Sequence, residues 1–419
     1  MIKIMREILE SKKILVALIL CFVLVAVADV IIPGKTYMPD ENAYLRQTKS
    51  VVETGILALG EHRAANMPIP MIIYAPFYRL LENESVFIKF VRVIQALAHI
   101  ATAVGAASIA FSVFKNRATA IITLFGTAIY PSLLAYQCLL LTETLFTCFL
   151  VLGFAFLYAW RPGRPGAFAL SGLFFMLSLY TRPVITILMP LLFLARGFVI
   201  FDHPGQRLRY CLYSCLIFLV CIAPWWIRNW NIFGEFVPFT TYASRNLYLG
   251  NNRGNLTGGV EWSTDAPPEE VAELFSSGNE TEISRAFTAK SISYIRENKT
   301  VFLANAWKKF KRFWNFTLNT DPAKLPKYFQ YYNIASILSW GTAFFLALAT
   351  LWRKRKEWFV LLPLFLLVGY YVFVHVVTIA SLRYRLPIEP FFVIIGADSL
   401  RVILGRLGIG SSVEQDNAR

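Results

Sequence analysis

The chain has 419 residues, 56% of them hydrophobic and only 16% charged, with a mean hydropathy of +0.52. That balance excludes an ordinary soluble protein and points to an all-α polytopic membrane protein, because each helical crossing needs about 20 apolar residues. The net charge of +15 does not mark a nucleic-acid binder, since the basic residues sit in short clusters between apolar runs, where topology signals lie.

In chain order the apolar runs predict ten spans, at 14–32, 86–114, 118–135, 139–160, 166–181, 183–201, 211–230, 332–352, 358–380 and 386–404. Lys3, Arg6, Lys12 and Lys13 precede the first span. Every second connection is basic: Lys115 and Arg117, Arg161 and Arg164, Arg207 and Arg209, then Arg353-Lys354-Arg355-Lys356. Arg401 and Arg406 close the last span. With ten spans all of these fall on one side, which the positive-inside rule makes the cytoplasm. The expected protein is a multi-pass bacterial inner-membrane protein with both termini cytoplasmic. It reads as one transmembrane module over 1–404 and a short cytoplasmic tail over 405–419. The first span reads as an uncleaved anchor, since no small-residue cleavage site follows it.

Two connections on the outer side are long, 33–85 and 233–331. Tyr44, Thr48, Val51, Val52 and Gly55 repeat at helical spacing in the first. In the second, Phe302, Ala306, Phe310, Phe313 and Trp314 form a face opposite Lys308, Lys309 and Arg312. Basic amphipathic helices of this kind lie in the membrane interface or pack on the bundle. Residues 253–285, rich in Gly, Ser, Thr, Glu and Pro, read as a flexible outer loop. The six cysteines lie in or beside apolar spans and have no metal spacing. Five Asn-X-Ser/Thr sequons begin at Asn83, Asn255, Asn279, Asn298 and Asn315.

Polar residues at or inside a span are candidates for function. Arg92, Gln95 and His99 share one face of the second span, and His375 lies in the ninth. Asp40, Glu41, Glu143, Arg182, Arg228, Arg383 and Arg385 all fall at outer span ends. Carboxylates with arginines at one depth suit a reaction on a phosphate-linked substrate: the guanidinium fork grips phosphate oxygens, and a carboxylate accepts a proton from an attacking hydroxyl. No Walker A, GxGxxG or GxSxG motif is present. No cofactor is indicated, and a divalent cation, Mg²⁺ or Mn²⁺, held by Asp40 and Glu143 stays open.

Five motifs in order resemble the GT-C glycosyltransferases, in the style of the protein O-mannosyltransferases and lipid A aminoarabinose transferases. They are Asp40-Glu41-Asn42-Ala43-Tyr44, Thr142-Glu143-Thr144-Leu145-Phe146, Thr181-Arg182-Pro183, Pro224-Trp225-Trp226-Ile227-Arg228 with Asn246-Leu247-Tyr248-Leu249-Gly250-Asn251, and Arg383-Tyr384-Arg385-Leu386-Pro387. The resemblance covers about 30–400. It departs in having ten spans, no C-terminal soluble domain, and Met67-Pro68-Ile69-Pro70 where many relatives carry Lys-Pro-Pro.

The resemblance implies a GT-C fold and transfer of a sugar from a polyprenyl-phosphate donor to a hydroxyl acceptor. That acceptor would be a glycolipid, polysaccharide or protein, at the periplasmic face among membrane lipids. It implies Asp40 as general base, with Glu41 and Glu143 as further catalytic carboxylates. Arg182, Arg383 and Arg385 would hold the donor phosphate. Tyr44, Arg46, Asn246, Tyr248 and Asn251 would contact substrate. The alternative is a flippase or transporter of lipid-linked sugars, although the repeat symmetry common among transporters is not found here.

Overall fold

The computed structural model describes residues 32–163, 165–260, 262–317 and 327–408. All but the last residue of the first expected span, and the tail from 409 onward, lie outside them. Among the described residues the secondary structure is helical, with no strand and a single isolated bridge, Leu59 to His62.

The first outer connection carries α1 (Pro39–Thr54) and α2 (Ile69–Leu81), the second of which the sequence reading left as loop. The bundle follows as α3 (Glu84–Phe114), α4 (Arg117–Ala128), α5 (Pro131–Gln137), α6 (Glu143–Ala159), α7 (Pro165–Leu179), α8 (Leu188–Ile200) and α9 (Pro204–Phe233). The second outer connection folds as α10 (Ala243–Gly250), α11 (Trp262–Asp265), α12 (Pro268–Phe275), α13 (Glu280–Glu297) and α14 (Lys299–Phe313). The chain returns through α15 (Lys327–Arg353), α16 (Leu362–Val377), α17 (Leu382–Arg385) and α18 (Glu389–Arg406).

Among the described residues four helical segments are long and apolar enough to cross a bilayer: 84–114, 204–233, 331–353 and 358–377. The pair α4 and α5 makes a fifth only as a broken span, bent by 47°. Pro131 starts α5 and has no N–H to continue the ladder of α4. Helices α6, α7 and α8 are apolar but have only 17, 15 and 13 residues. In the last expected span, 386–404, helix α18 begins with Glu389 and carries Asp398 and Arg401, which pair with each other.

A break in a lipid-embedded helix frees carbonyls that must find donors. One face of α3 supplies them. His99 Nε2 lies 2.9 Å from Ala128 O, Gln95 Nε2 donates to Leu139 O at 2.8 Å, and Arg92 Nε donates to Cys138 O at 2.8 Å. Arg92 also reaches Ile32 O and Lys35 O, tying the first outer segment to the same place. The polar stripe of the second span is thus a set of braces for the α4–α5–α6 breaks.

The core is aromatic, built around Phe146, Phe154, Trp160, Phe175, Phe193, Trp340 and Phe391. Helices α15 and α18, α3 and α6, and α6 and α7 pack side by side. Small residues permit the close approaches. A Cβ on Gly153 would meet Phe175 at 2.6 Å, and one on Gly250 would sit 1.8 Å from Thr378 O. Gly250 therefore lets α10 dock against the C-terminal end of α16.

The expected flexible loop at 253–285 is instead folded. Its polar residues turn inward as substitutes for backbone hydrogen bonds. Asn252 Nδ2 donates to Tyr248 O and Asp265 O, and Asn255 Nδ2 to Leu249 O and Gly259 O. Composition marked this stretch as a loop because the same residue types are found in both roles. The amphipathic helix α14 is present, but its polar face differs from the reading: Lys309 is fully buried, with Asn305 and Phe313. Lys309 Nζ donates to Asn251 Oδ1 at 3.1 Å, and desolvation pushes its pKa down to about 7.

Candidate active site

A cavity of about 400 Å³ opens where α1, the α7 end, α10, α16 and α17 meet. Its polar wall is one connected chain of charges. Glu143, at the start of α6, is fully buried, and its Oε1 accepts from Arg182 NH1 at 2.7 Å. The same oxygen accepts from Arg383 Nε, and Arg383 NH1 pairs with Asp40 Oδ2. The order is therefore Asp40, Arg383, Glu143, Arg182, from four segments far apart in sequence. Asp40 is the exposed end, with 57% of its side chain open, while the two arginines are about one-fifth exposed.

Local chemistry fixes each member. Asp40 stands in the first turn of α1, just after Pro39, which presets the helical φ at a position that needs no donor. Glu41 beside it is fully buried and is a brace. Its Oε1 accepts from Tyr37 N and Met38 N, and its Oε2 from Leu140 N at 2.7 Å. It closes the start of α1 and joins it to the segment before α6, so that Asp40 and Glu143 share one arginine. Both of its oxygens are taken by backbone N–H groups, and it does not line the cavity. Arg182 follows Thr181, whose backbone N–H closes the end of α7 onto Leu177 O. Pro183 then forbids the helix from continuing.

Aromatic groups complete the cavity. The His375 and Tyr384 rings are stacked at 4.9 Å, and Arg182 lies 5.6 Å from the centre of Tyr384. His375 Nδ1 donates to Ile379 O at 3.1 Å, which leaves Nε2 as an acceptor. Tyr44 also lines the cavity, and burial together with the charge of Glu143 raises its phenol above the ordinary value. It therefore stays neutral and can donate.

Of the residues expected at the site, Asp40, Tyr44, Arg182, Asn246 and Arg383 line the cavity, with Glu143 directly behind the arginines. Others do not reach it. Arg385 is 1% exposed and is spent on Glu389 Oε1 at 2.7 Å and on the carbonyls of Phe313 and Asn315, beneath the Trp340 ring. In the short α17 the side chains two apart point to opposite sides, so Arg383 and Arg385 cannot both face the cavity. Arg46 is exposed on α1 outside it. Tyr248 is buried in the outer-loop core with Leu249 and Phe287. Asn251 joins Leu247 O and Val377 O to Lys309. Tyr371, Tyr242 and Asn66 line the cavity without having been singled out. The i, i+4 spacing of Tyr371 and His375 was the available signal for the first; the other two lie in irregular segments with no pattern.

Asp40 and Glu143 do not form a cation site in this arrangement, because the guanidinium of Arg383 lies between them. Among the described residues no three His, Cys, Asp or Glu side chains gather as a metal site.

The fold and the chain of charges define a polytopic helical membrane protein with an ionic cavity at the ends of its bundle. No family model matches the sequence, and no curated protein is similar to it. Solved structures are. The oligosaccharyltransferase AglB from Archaeoglobus fulgidus, in complex with an inhibitory peptide and a dolichol-phosphate, matches 95% of this chain and 52% of its own, at 11% identity and a TM-score of 0.52. The apo form of the Archaeoglobus fulgidus enzyme matches 96% and 52%, at 12% identity and a TM-score of 0.55. ArnT from Cupriavidus metallidurans, bound to undecaprenyl phosphate, matches 93% of this chain and 78% of its own, at 15% identity and a TM-score of 0.46. The chain spans about half the length of the oligosaccharyltransferase it matches, 52%. The likeness to that enzyme shows the fold, the GT-C fold expected from the motif order.

Proposed function

We propose that the protein is a membrane glycosyltransferase that moves a sugar from a polyprenyl-phosphate donor to a hydroxyl acceptor at the outer face. The observation that carries this reading is the Asp40–Arg383–Glu143–Arg182 chain at the wall of one cavity. The presence of dolichol-phosphate in the oligosaccharyltransferase of the same fold supports a lipid-phosphate donor.

In this mechanism Arg182 and Arg383 bind the donor phosphate, and Glu143 holds the two guanidinium groups at one spacing. The acceptor oxygen attacks the anomeric carbon as its proton passes to Asp40. The bond from that carbon to the phosphate oxygen breaks, and the electron pair leaves on polyprenyl phosphate. The arginines stabilise the charge where it develops. Attack opposite the phosphate inverts the anomeric centre. Arg383 exchanges part of its pairing with Asp40 for the phosphate, which frees the carboxylate for its proton as donor binds.

The test is release of polyprenyl phosphate from synthetic polyprenyl-phosphate sugars, with the protein in nanodiscs. Asp40→Asn should fold normally and lose about 10²-fold or more of the rate, the usual contribution of a general base. Full activity in Asp40→Asn would remove the base from the mechanism. No turnover with any donor, accompanied by passage of labelled lipid-sugar across vesicles, would replace it with the flippase reading.

A further inference from the structure

One part of the cavity lining takes no part in the transfer just described. It comes from the segment 59–66 and from the approach to α10. Tyr242, Asn246 and Asn66 line it. Asn66 Nδ2 is held by Gln47 Oε1 at 3.1 Å, which fixes the amide plane.

Beside this wall the guanidinium of Arg245 lies between two rings, 3.8 Å from the centre of Tyr242 and 4.7 Å from that of Phe275. His62 sets its ring edge-on to Tyr242 at 5.5 Å, with Nε2 3.2 Å from Arg245 NH2. Arg63 is next in sequence, and its Nε is buried without a hydrogen-bond partner. Among the described residues neither Arg245 nor Arg63 forms an ion pair through its side chain. The neighbouring acid, Glu280, has both oxygens occupied. Its Oε1 accepts from Ala64 N and Thr241 Oγ1, and its Oε2 from Arg63 N. Arg228 is likewise satisfied, by Leu57 O, Arg63 O and Asn229 Oδ1.

The result is a surface of aromatic faces and amide groups beside two guanidiniums that form no ion pair, with the already engaged carboxylate of Glu280 close to both. Rings and amides suit the C–H face and hydroxyls of a sugar. A guanidinium held flat between rings suits a carboxylate or a phosphate, because its fork is already oriented. Asp40, Arg182 and Arg383 line the same cavity.

We infer that this wall is the acceptor subsite and that it takes an acidic saccharide, one carrying a carboxylate or phosphate close to the accepting hydroxyl. The word acceptor rests on the transferase reading; the binding of an acidic glycan does not.

The experiment uses the full chain in nanodiscs of neutral phosphatidylcholine. Calorimetry measures binding of hexagalacturonate, a phosphorylated mannohexaose and neutral maltohexaose at low ionic strength. At least one acidic glycan should bind about tenfold or more tightly than maltohexaose, and added salt should weaken the difference. Which of the two binds names the anion. Arg63→Gln with Arg245→Gln should abolish the preference while leaving undecaprenyl phosphate binding intact, which shows that the variant is folded and its donor end unchanged. Equal binding of maltohexaose, no binding of either acidic glycan, or a preference that survives the double substitution would overturn the assignment. If the wild-type protein fails to bind undecaprenyl phosphate, the donor reading falls and the glycan results still report on this wall alone.

Discussion

Glu143→Gln removes one negative charge and almost no volume. Glu143 is fully buried and compensates both Arg182 and Arg383. At an effective dielectric of ~20, each contact at ~4 Å between charge centres has a Coulomb energy of ~4 kcal/mol. Breaking a buried pair typically costs a net ~3–5 kcal/mol, after the desolvation of the lost charge is returned. The arginines are about one-fifth exposed and recover some hydration. The glutamine oxygen still accepts a hydrogen bond, for ~1 kcal/mol. The expected loss is therefore ~2–4 kcal/mol, read as a shift in unfolding by denaturing detergent. The substitution also leaves Arg182 without a carboxylate and Arg383 with Asp40 alone. Undecaprenyl phosphate should then bind more tightly than to wild type and restore most of the lost stability, while turnover falls because the product is held. Stability unchanged to within ~0.5 kcal/mol, the ordinary scatter of surface substitutions, or no rescue by the lipid phosphate, would refute the view that Glu143 sets the charge of the phosphate site.

Arg385→Met should destabilise the protein by ~3–5 kcal/mol, because it strands the buried Glu389. Arg385→Met with Glu389→Met should recover most of that loss, and the recovered protein should still bind undecaprenyl phosphate. A double variant that is stable but has lost phosphate binding would return Arg385 to the donor site. Lys309 has a folded pKa near 7, below its value in the unfolded chain, so the unfolded state binds the proton more strongly. Stability should rise with pH from about 7 towards the unfolded lysine value of about 10 and be lowest at and below 7. Lys309→Met should abolish that slope. Thermal unfolding across this range checks it, and an equal slope in both proteins would show that another group is responsible.

The apolar runs by themselves determined a helical membrane protein and the approximate position of most described helices of the bundle, though not the break between α4 and α5, since lipid leaves the backbone few other choices. They also brought Asp40, Glu143, Arg182 and Arg383 to attention, because charge at a span end has a cost that calls for a reason. Sequence could not separate Asp40 from Glu41, or Arg383 from Arg385. Within each pair the residue types are alike and the surroundings differ. What divides them is which neighbour lies within hydrogen-bond reach: Leu140 N for Glu41, the carbonyls of Phe313 and Asn315 for Arg385. The ordered outer connection was hidden for a related reason. Its asparagines look like loop residues until Asn252 and Asn255 are found closing the backbone of 248–265 from inside. Periodicity carries the burial of a face, and it carried the helices; the joining of four distant side chains through one guanidinium is a long-range fact that only the tertiary packing decides.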